Sequence, residues 1–255
     1  MNISNIFLRS SLRLASSFFL ALIISASVAA QNFQHEDVNI TTPSGYRIAG
    51  TYYSISGQTG PAVLLLPNIT GQRGDWNDFL PILQDSGVKS VLAIDLPGSG
   101  SSDFKNRDKI SWRNFTEEDF RDISTELNSA LDHLRQAPTT DPAHIGIIGS
   151  ILGANYAAVM AANNSDIKSL VLLSPGLVYR SVASFWAMEK YPNKPVLLVA
   201  TKTDYYSVRS CEKMREGKSQ NIQFQIYNKP AYGTDILANN PSFKATLTDW
   251  LKSNL

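Results

Sequence analysis

The residues most suggestive of chemistry are Gly149-Ser150-Ile151-Leu152-Gly153, which follow the apolar run Ile145 to Ile148 and precede the alanine-rich stretch Tyr156 to Ala162. Strand, tight turn, helix is the order implied. A turn sharp enough to lift a nucleophile clear of a sheet needs small residues two positions before and two after its apex. Gly149 and Gly153 have that spacing, and they put Ile151, which has neither hydroxyl nor thiol, at the apex. Moving the apex to Ser150 would place Ile148 and Leu152 where the turn needs small side chains, so Ser150 is a poor substitute nucleophile. The same glycines also fit a plain connection that lets the helix approach the sheet. A β-branched apex is costly at positive φ, so the turn has either relaxed or is held strained by its packing.

Composition bounds the other chemistry. Cys211 is the only cysteine, which excludes an intrachain disulfide, a multi-cysteine zinc cluster and a haem attachment motif. A packed small side chain on a helix is its expected role. No metal site and no cofactor is expected. The formal net charge of +1, with no long basic run, gives no electrostatic footprint for nucleic acid or an acidic membrane.

The elements that must position this turn are legible in outline. Residues 1–30 read as an export signal, with Arg9 and Arg13 in a polar start, a mostly apolar stretch from Leu14 to Ile24, and Val28, Ala29 and Ala30 before the cleavage point. That stretch is too short for a stable membrane anchor, for which about 20 apolar residues are wanted. A secreted or periplasmic location follows. The remaining 31–255, about 225 residues, suit a single α/β domain. Val38 to Thr42 and Tyr46 to Tyr53, joined by Pro43, Ser44 and Gly45, read as an antiparallel hairpin. Ala62 to Leu66, Ser90 to Ile94, Ile145 to Ile148, Leu170 to Leu173 and Val196 to Ala200 are short apolar runs suited to strands buried on both faces of a parallel sheet. Phe120, Ile123, Leu127, Leu131 and Leu134 have helical spacing behind a Thr116/Asp119 capping box, and Phe243, Leu247, Trp250 and Leu251 mark a last covering helix.

This order, the elbow, Leu66-Pro67-Asn68-Ile69-Thr70-Gly71 and the turn Asp95-Leu96-Pro97-Gly98-Ser99-Gly100 together resemble the α/β-hydrolase superfamily, in particular its dienelactone-hydrolase-like and serine-peptidase-like branches. The resemblance spans about Gly45 to Leu255. It implies an α/β-hydrolase fold: a mostly parallel central sheet with an N-terminal antiparallel hairpin and helices on both faces. It also implies a triad in which Ile151 stands at the nucleophile's position. Asp204 stands at the acid's, and also fits a simple helix cap. Tyr232, in Pro230-Ala231-Tyr232-Gly233, stands at the histidine's. His35, His133 and His144 all precede Asp204, so none can replace it in the order nucleophile, acid, histidine. The backbone N–H groups of Ile69 and Leu152 match the oxyanion donors, with Asn68 where the family carries glycine. Tyrosine, with an ordinary pKa near ~10, is a poor base at neutral pH.

The leading expectation is therefore a non-catalytic relative that binds a small apolar ligand or an envelope protein at the former active-site cleft. Ile151, Leu152, Tyr232 and Ile69 would make its floor apolar; the same side chains also fit a cleft that they simply fill. The alternative is an active serine-type or unconventional hydrolase, using Ser150 or a water placed by Asp204.

Overall fold

Whether those apolar runs lie side by side depends on their alternation, because successive side chains of a strand face opposite sides of its sheet. A computed structural model describes residues 32–191, 193–216 and 221–255. The expected export signal lies outside the described residues.

In chain order the elements begin with β1 (Gln34–Thr41), β2 (Tyr46–Ser54), β3 (Gly60–Leu66), a 3-10 segment (Arg73–Phe79), α1 (Leu80–Asp85), β4 (Ser90–Ile94) and the short β5 (Phe104–Lys105) and β6 (Asp108–Lys109). A second 3-10 turn (Trp112–Asn114) leads to α2 (Glu117–Glu126), α3 (Asn128–Gln136), β7 (Thr140–Ser150), α4 (Leu152–Asn163) and β8 (Ile167–Leu173). After the small hairpin of β9 (Val178–Tyr179) and β10 (Val182–Ala183) come α5 (Ser184–Lys190), β11 (Val196–Thr201), α6 (Tyr205–Arg215), β12 (Ile222–Tyr227), α7 (Asp235–Asn239) and α8 (Ser242–Asn254).

One sheet runs β12-β11-β8-β7-β3-β4-β2-β5-β6, with β1 paired antiparallel to β2. Its centre, from β4 through β3, β7, β8 and β11 to β12, is parallel, and β2, β5 and β6 join antiparallel. Helices pack on both faces, as the resemblance implies. Alternation divides the core accordingly. Leu64, Leu92, Ile147, Leu172 and Leu198 share one apolar cluster with α2, α3 and α4, whereas Val63, Val91, Ile148, Val171 and Leu197 share the other with α1 and α8. Because both faces are covered, the strands read as continuous apolar runs.

Three details differ from the sequence reading. The helix expected through Phe120 and Leu134 is divided at Leu127 into α2 and α3, where the Asn128 amide donates to Thr125 O at 3.1 Å and competes with the backbone ladder. Strand β12 was not anticipated: it lies at the sheet edge, and Ile222, Phe224 and Ile226 alternate with Gln223 and Gln225 instead of forming an apolar run. The two-residue strands β5, β6, β9 and β10 are too short for any periodicity. The Thr116 capping box is present, with the Asp119 N–H donating to Thr116 Oγ1 at 3.2 Å and the Thr116 N–H donating to Asp119 Oδ2 at 2.8 Å. Among the described residues no helix is long and apolar enough to cross a membrane.

Leu64 is fully buried at the centre of the sheet, so Leu64→Ala is expected to lower unfolding stability by about 2–5 kcal/mol, read as a fall in the urea midpoint. A loss below ~1 kcal/mol would contradict this account of the core.

Candidate functional site

In open α/β sheets the binding crevice forms outside the carboxyl ends of the strands where the strand order reverses. Here the chain passes from β3 to β4 on one side and then to β7 on the other, so the reversal lies between β3 and β7. The carboxyl end of β3 leads into Pro67-Asn68-Ile69, and that of β7 into Ser150-Ile151.

The glycine spacing has a steric cause. A Cβ on Gly153 would lie 2.2 Å from Leu66 O and 2.3 Å from Pro67 O, and one on Gly149 would lie 2.3 Å from Gly153 O. Ile151 between them has φ 54° and ψ −108°, so the strain expected of a β-branched apex is retained. Its backbone is held on both sides: the N–H donates to Leu173 O at 2.8 Å, and the carbonyl accepts the Ala154 N–H at 3.1 Å. A non-glycine residue in such a region costs about 1–3 kcal/mol, tolerated only where surrounding structure enforces it.

The Tyr232-Gly233 turn packs on this elbow. Gly233 has φ 54°, and a Cβ there would sit 2.1 Å from Ser150 Oγ and 3.2 Å from Ile151 Cγ1. Its N–H donates to Ser174 Oγ at 3.0 Å, and Ala231 O accepts Thr201 Oγ1 at 2.9 Å. Ser150, Ile151 and Tyr232 thereby line one cavity of about 360 Å³ together with Asn68. Tyr232 itself is 52% exposed. No histidine is among the described lining residues: His144 pairs with Asp141 at the amino end of β7, His35 lies on β1 and His133 on α3.

Asp204 is buried and caps α6, its Oδ1 accepting the Ser207 N–H at 3.1 Å. The other carboxylate oxygen is buried and has no hydrogen-bond partner among the described residues. Both sequence readings of Asp204 therefore stay compatible with its place: a helix cap, and a carboxylate with one oxygen unused. Tyr179 on β9 went unnoticed in the sequence because a two-residue strand leaves no pattern. Burial foremost, and then the nearby Asp204 carboxylate, push its hydroxyl above the ordinary tyrosine range, and Tyr232 acts in the same direction. Tyr179 thus stays protonated at neutral pH. Cys211 is fully buried, and burial likewise pushes its thiol up, which fits a packed and unreactive side chain.

Two expectations about the cleft require correction. Ile69 and Leu152 do not form its floor, being 5% and 2% exposed and turned into the core cluster that packs under α4. In their place Asp75, Asp78 and Asp235 line the cavity beside Phe79 and Ala238, with no lysine or arginine among the described lining residues. These aspartates carry no motif; only the closure of the 3-10 segment and of α7 over the elbow brings them together. The second correction concerns the oxyanion donors. Asn68, standing where the family carries glycine, is not at positive φ. Its side-chain Oδ1 accepts the Ile69 N–H at 2.9 Å, while Nδ2 donates to Thr70 Oγ1 at 2.8 Å. Of the two expected donors, the Leu152 N–H heads α4, where first-turn N–H groups have no intrahelical partner, and the Ile69 N–H is already engaged. Among the described residues no group of three or more His, Cys, Asp or Glu side chains could hold a metal ion.

Comparison with known proteins matches residues 61–207 to the α/β hydrolase fold family. No curated protein matches the chain. Among solved structures, the Pyrococcus furiosus esterase is similar with a TM-score of 0.69 and 17% identity, over 87% of this chain and 91% of that one. The dienelactone hydrolase from Anabaena variabilis gives 0.67 and 16%, over 88% and 99%. The α/β hydrolase GrgF from Penicillium gives 0.68 and 14%, over 86% and 98%. At these identities the likeness shows the fold.

The elbow's sterics predict opposite outcomes for neighbouring residues. Gly153→Ala forces a methyl against two backbone carbonyls and is expected to lower stability by about 3 kcal/mol, while Ser150→Ala stays within ~1 kcal/mol, since among the described residues no hydrogen bond to Ser150 Oγ holds the fold. Equal effects in thermal or urea unfolding would contradict the packing described.

Proposed function

The chain belongs to the α/β hydrolase fold family, and on that premise we propose that it is a member whose cleft binds a ligand or a partner segment without hydrolysing it by the serine mechanism. The observation that carries this reading is Ile151 at φ 54°, holding the apex conformation with no atom able to attack. Tyr232 at the end of the cleft is a phenol where the mechanism needs an imidazole, and a general base is worth about 10² to 10⁴ in rate. Asn68 on the Ile69 N–H removes one donor as well. An apolar ligand loses the support that Ile69 and Leu152 were expected to give. The lining of Asp75, Asp78, Asp235, Asn68 and Thr70 supports a polar ligand, with Tyr232 and Phe79 offering aromatic surface.

A second reading rests on kinship. The similar structures are named as esterases and hydrolases, and that favours an active hydrolase over a non-catalytic binder. Ser150, which borders the cavity though 2% exposed, or a water placed by the unpartnered oxygen of Asp204, would then start the reaction.

Hydrolysis of a short-chain activated ester separates the two. The native protein is expected to be silent, and the Ile151→Ser/Tyr232→His double variant to exceed it by about 10²-fold or more. The restored rate should rise with pH through about 6.5, where the new imidazole loses its proton and becomes a base. Native turnover abolished by Ser150→Ala or Asp204→Asn would overturn the proposal in favour of the second reading; turnover that survives both substitutions would point to a contaminant.

A further inference from the structure

The loop after β3 is where this fold offers its second oxyanion donor, the first being the N–H of the residue after the elbow apex. In this chain those groups are the Ile69 and Leu152 N–H. The Ile69 N–H is already engaged: Asn68 Oδ1 sits on it at 2.9 Å, and the Asn68 amide is itself tethered to Thr70 Oγ1 at 2.8 Å. Both Asn68 and Thr70 line the cavity. A side-chain amide carbonyl is the chemical equivalent of the acyl oxygen that such a donor would receive.

We propose that Asn68 is a built-in acceptor on the Ile69 N–H, held there by Thr70, and that it sets the specificity of the cleft against ligands whose carbonyl or acyl oxygen would need that donor. The inference rests on the reading of the cleft as a former hydrolase site, and extends it by naming a residue that excludes acyl groups independently of the missing nucleophile and base. It follows that restoring Ser and His alone leaves the site short of one donor, and that a ligand with an acyl oxygen gains the Ile69 N–H only by displacing Asn68. The glycine usual at this position has no side chain with which to do the same. The backbone around Asn68 does not require it either, since its φ is ordinary and an alanine fits there.

The experiment places Asn68→Ala and Thr70→Val separately into the Ile151→Ser/Tyr232→His background and measures kcat and KM on the same activated ester. Removing a single oxyanion donor in a working hydrolase lowers kcat by about 10²–10³, so freeing one is expected to raise kcat by at least about 10-fold with little change in KM. Thr70→Val, which releases Asn68 without removing it, is expected to gain a few-fold. Amide hydrogen exchange provides a readout independent of turnover: Asn68→Ala in the otherwise native chain should strip protection from the Ile69 N–H while sparing the Gly71 N–H, which donates to the Asn68 backbone carbonyl at 2.9 Å. Triple variants no faster than the double variant, whether or not that variant turns over, overturn the proposal. An unchanged Ile69 amide does so as well. The broader reading fails separately, through Ser150-dependent activity of the native chain.

Discussion

The close approach of α4 to the end of β3 governs the functional end of this molecule. Gly153 has to lie with no Cβ against the carbonyls of Leu66 and Pro67, because the first turn of α4 crosses directly over the strand that neighbours its own. Once that crossing is fixed, β7 must turn sharply within Ser150 and Ile151, and Ile151 has nowhere to go but positive φ. Pairing of β7 with both β3 and β8 keeps the turn from relaxing, and the bond from the Ile151 N–H to Leu173 O locks its far side. A side chain poorly suited to that conformation is therefore carried in it by its surroundings.

The walls of the cleft are tied to this elbow by buried polar groups, not by apolar contact alone. The Asp95 carboxylate accepts the Arg73 N–H at 2.7 Å and the Ser101 N–H at 2.8 Å, and forms an ion pair with the Arg73 guanidinium. Ser99 Oγ donates to Gly71 O at 3.0 Å, so the two glycine-bearing turns on this side are joined directly. Losing one partner of such a buried pair costs about 3–5 kcal/mol, which makes it a strong constraint on the loop that carries Asn68. On the opposite wall, Thr201 and Ser174 anchor the Ala231 to Gly233 turn. The hairpin of β9 and β10 is fixed from below by Asn155, whose amide donates to Val182 O and whose Oδ1 accepts the Gly176 N–H. Both walls of the site are thus held by hydrogen bonds between side chains and backbone.

Much of this was legible in the sequence. Fully buried parallel strands announce themselves as apolar runs, and the ±2 glycine spacing around Ile151 locates the elbow without any structure. Less was legible where geometry depends on contacts between distant segments. The sequence names Asn68 as a departure from glycine but gives no sign that its side chain folds back onto the next amide. Asp75, Asp78 and Asp235 lie in unrelated segments and meet only when the sheet places their loops together, which is why an apolar floor was expected where a polar one is found. Tyr179 and the strand β12 were missed for the same reason at smaller scale: short or half-exposed strands draw their order from neighbours.

The sharp turn at the end of β7 rests on Ile151 holding a positive φ, and the conformation of that one residue tests it most directly. High-resolution diffraction from crystals of the protein is expected to place Ile151 at positive φ near 54°, with its N–H on Leu173 O. Density showing Ile151 in an ordinary β or α conformation, with the turn opened, would contradict it.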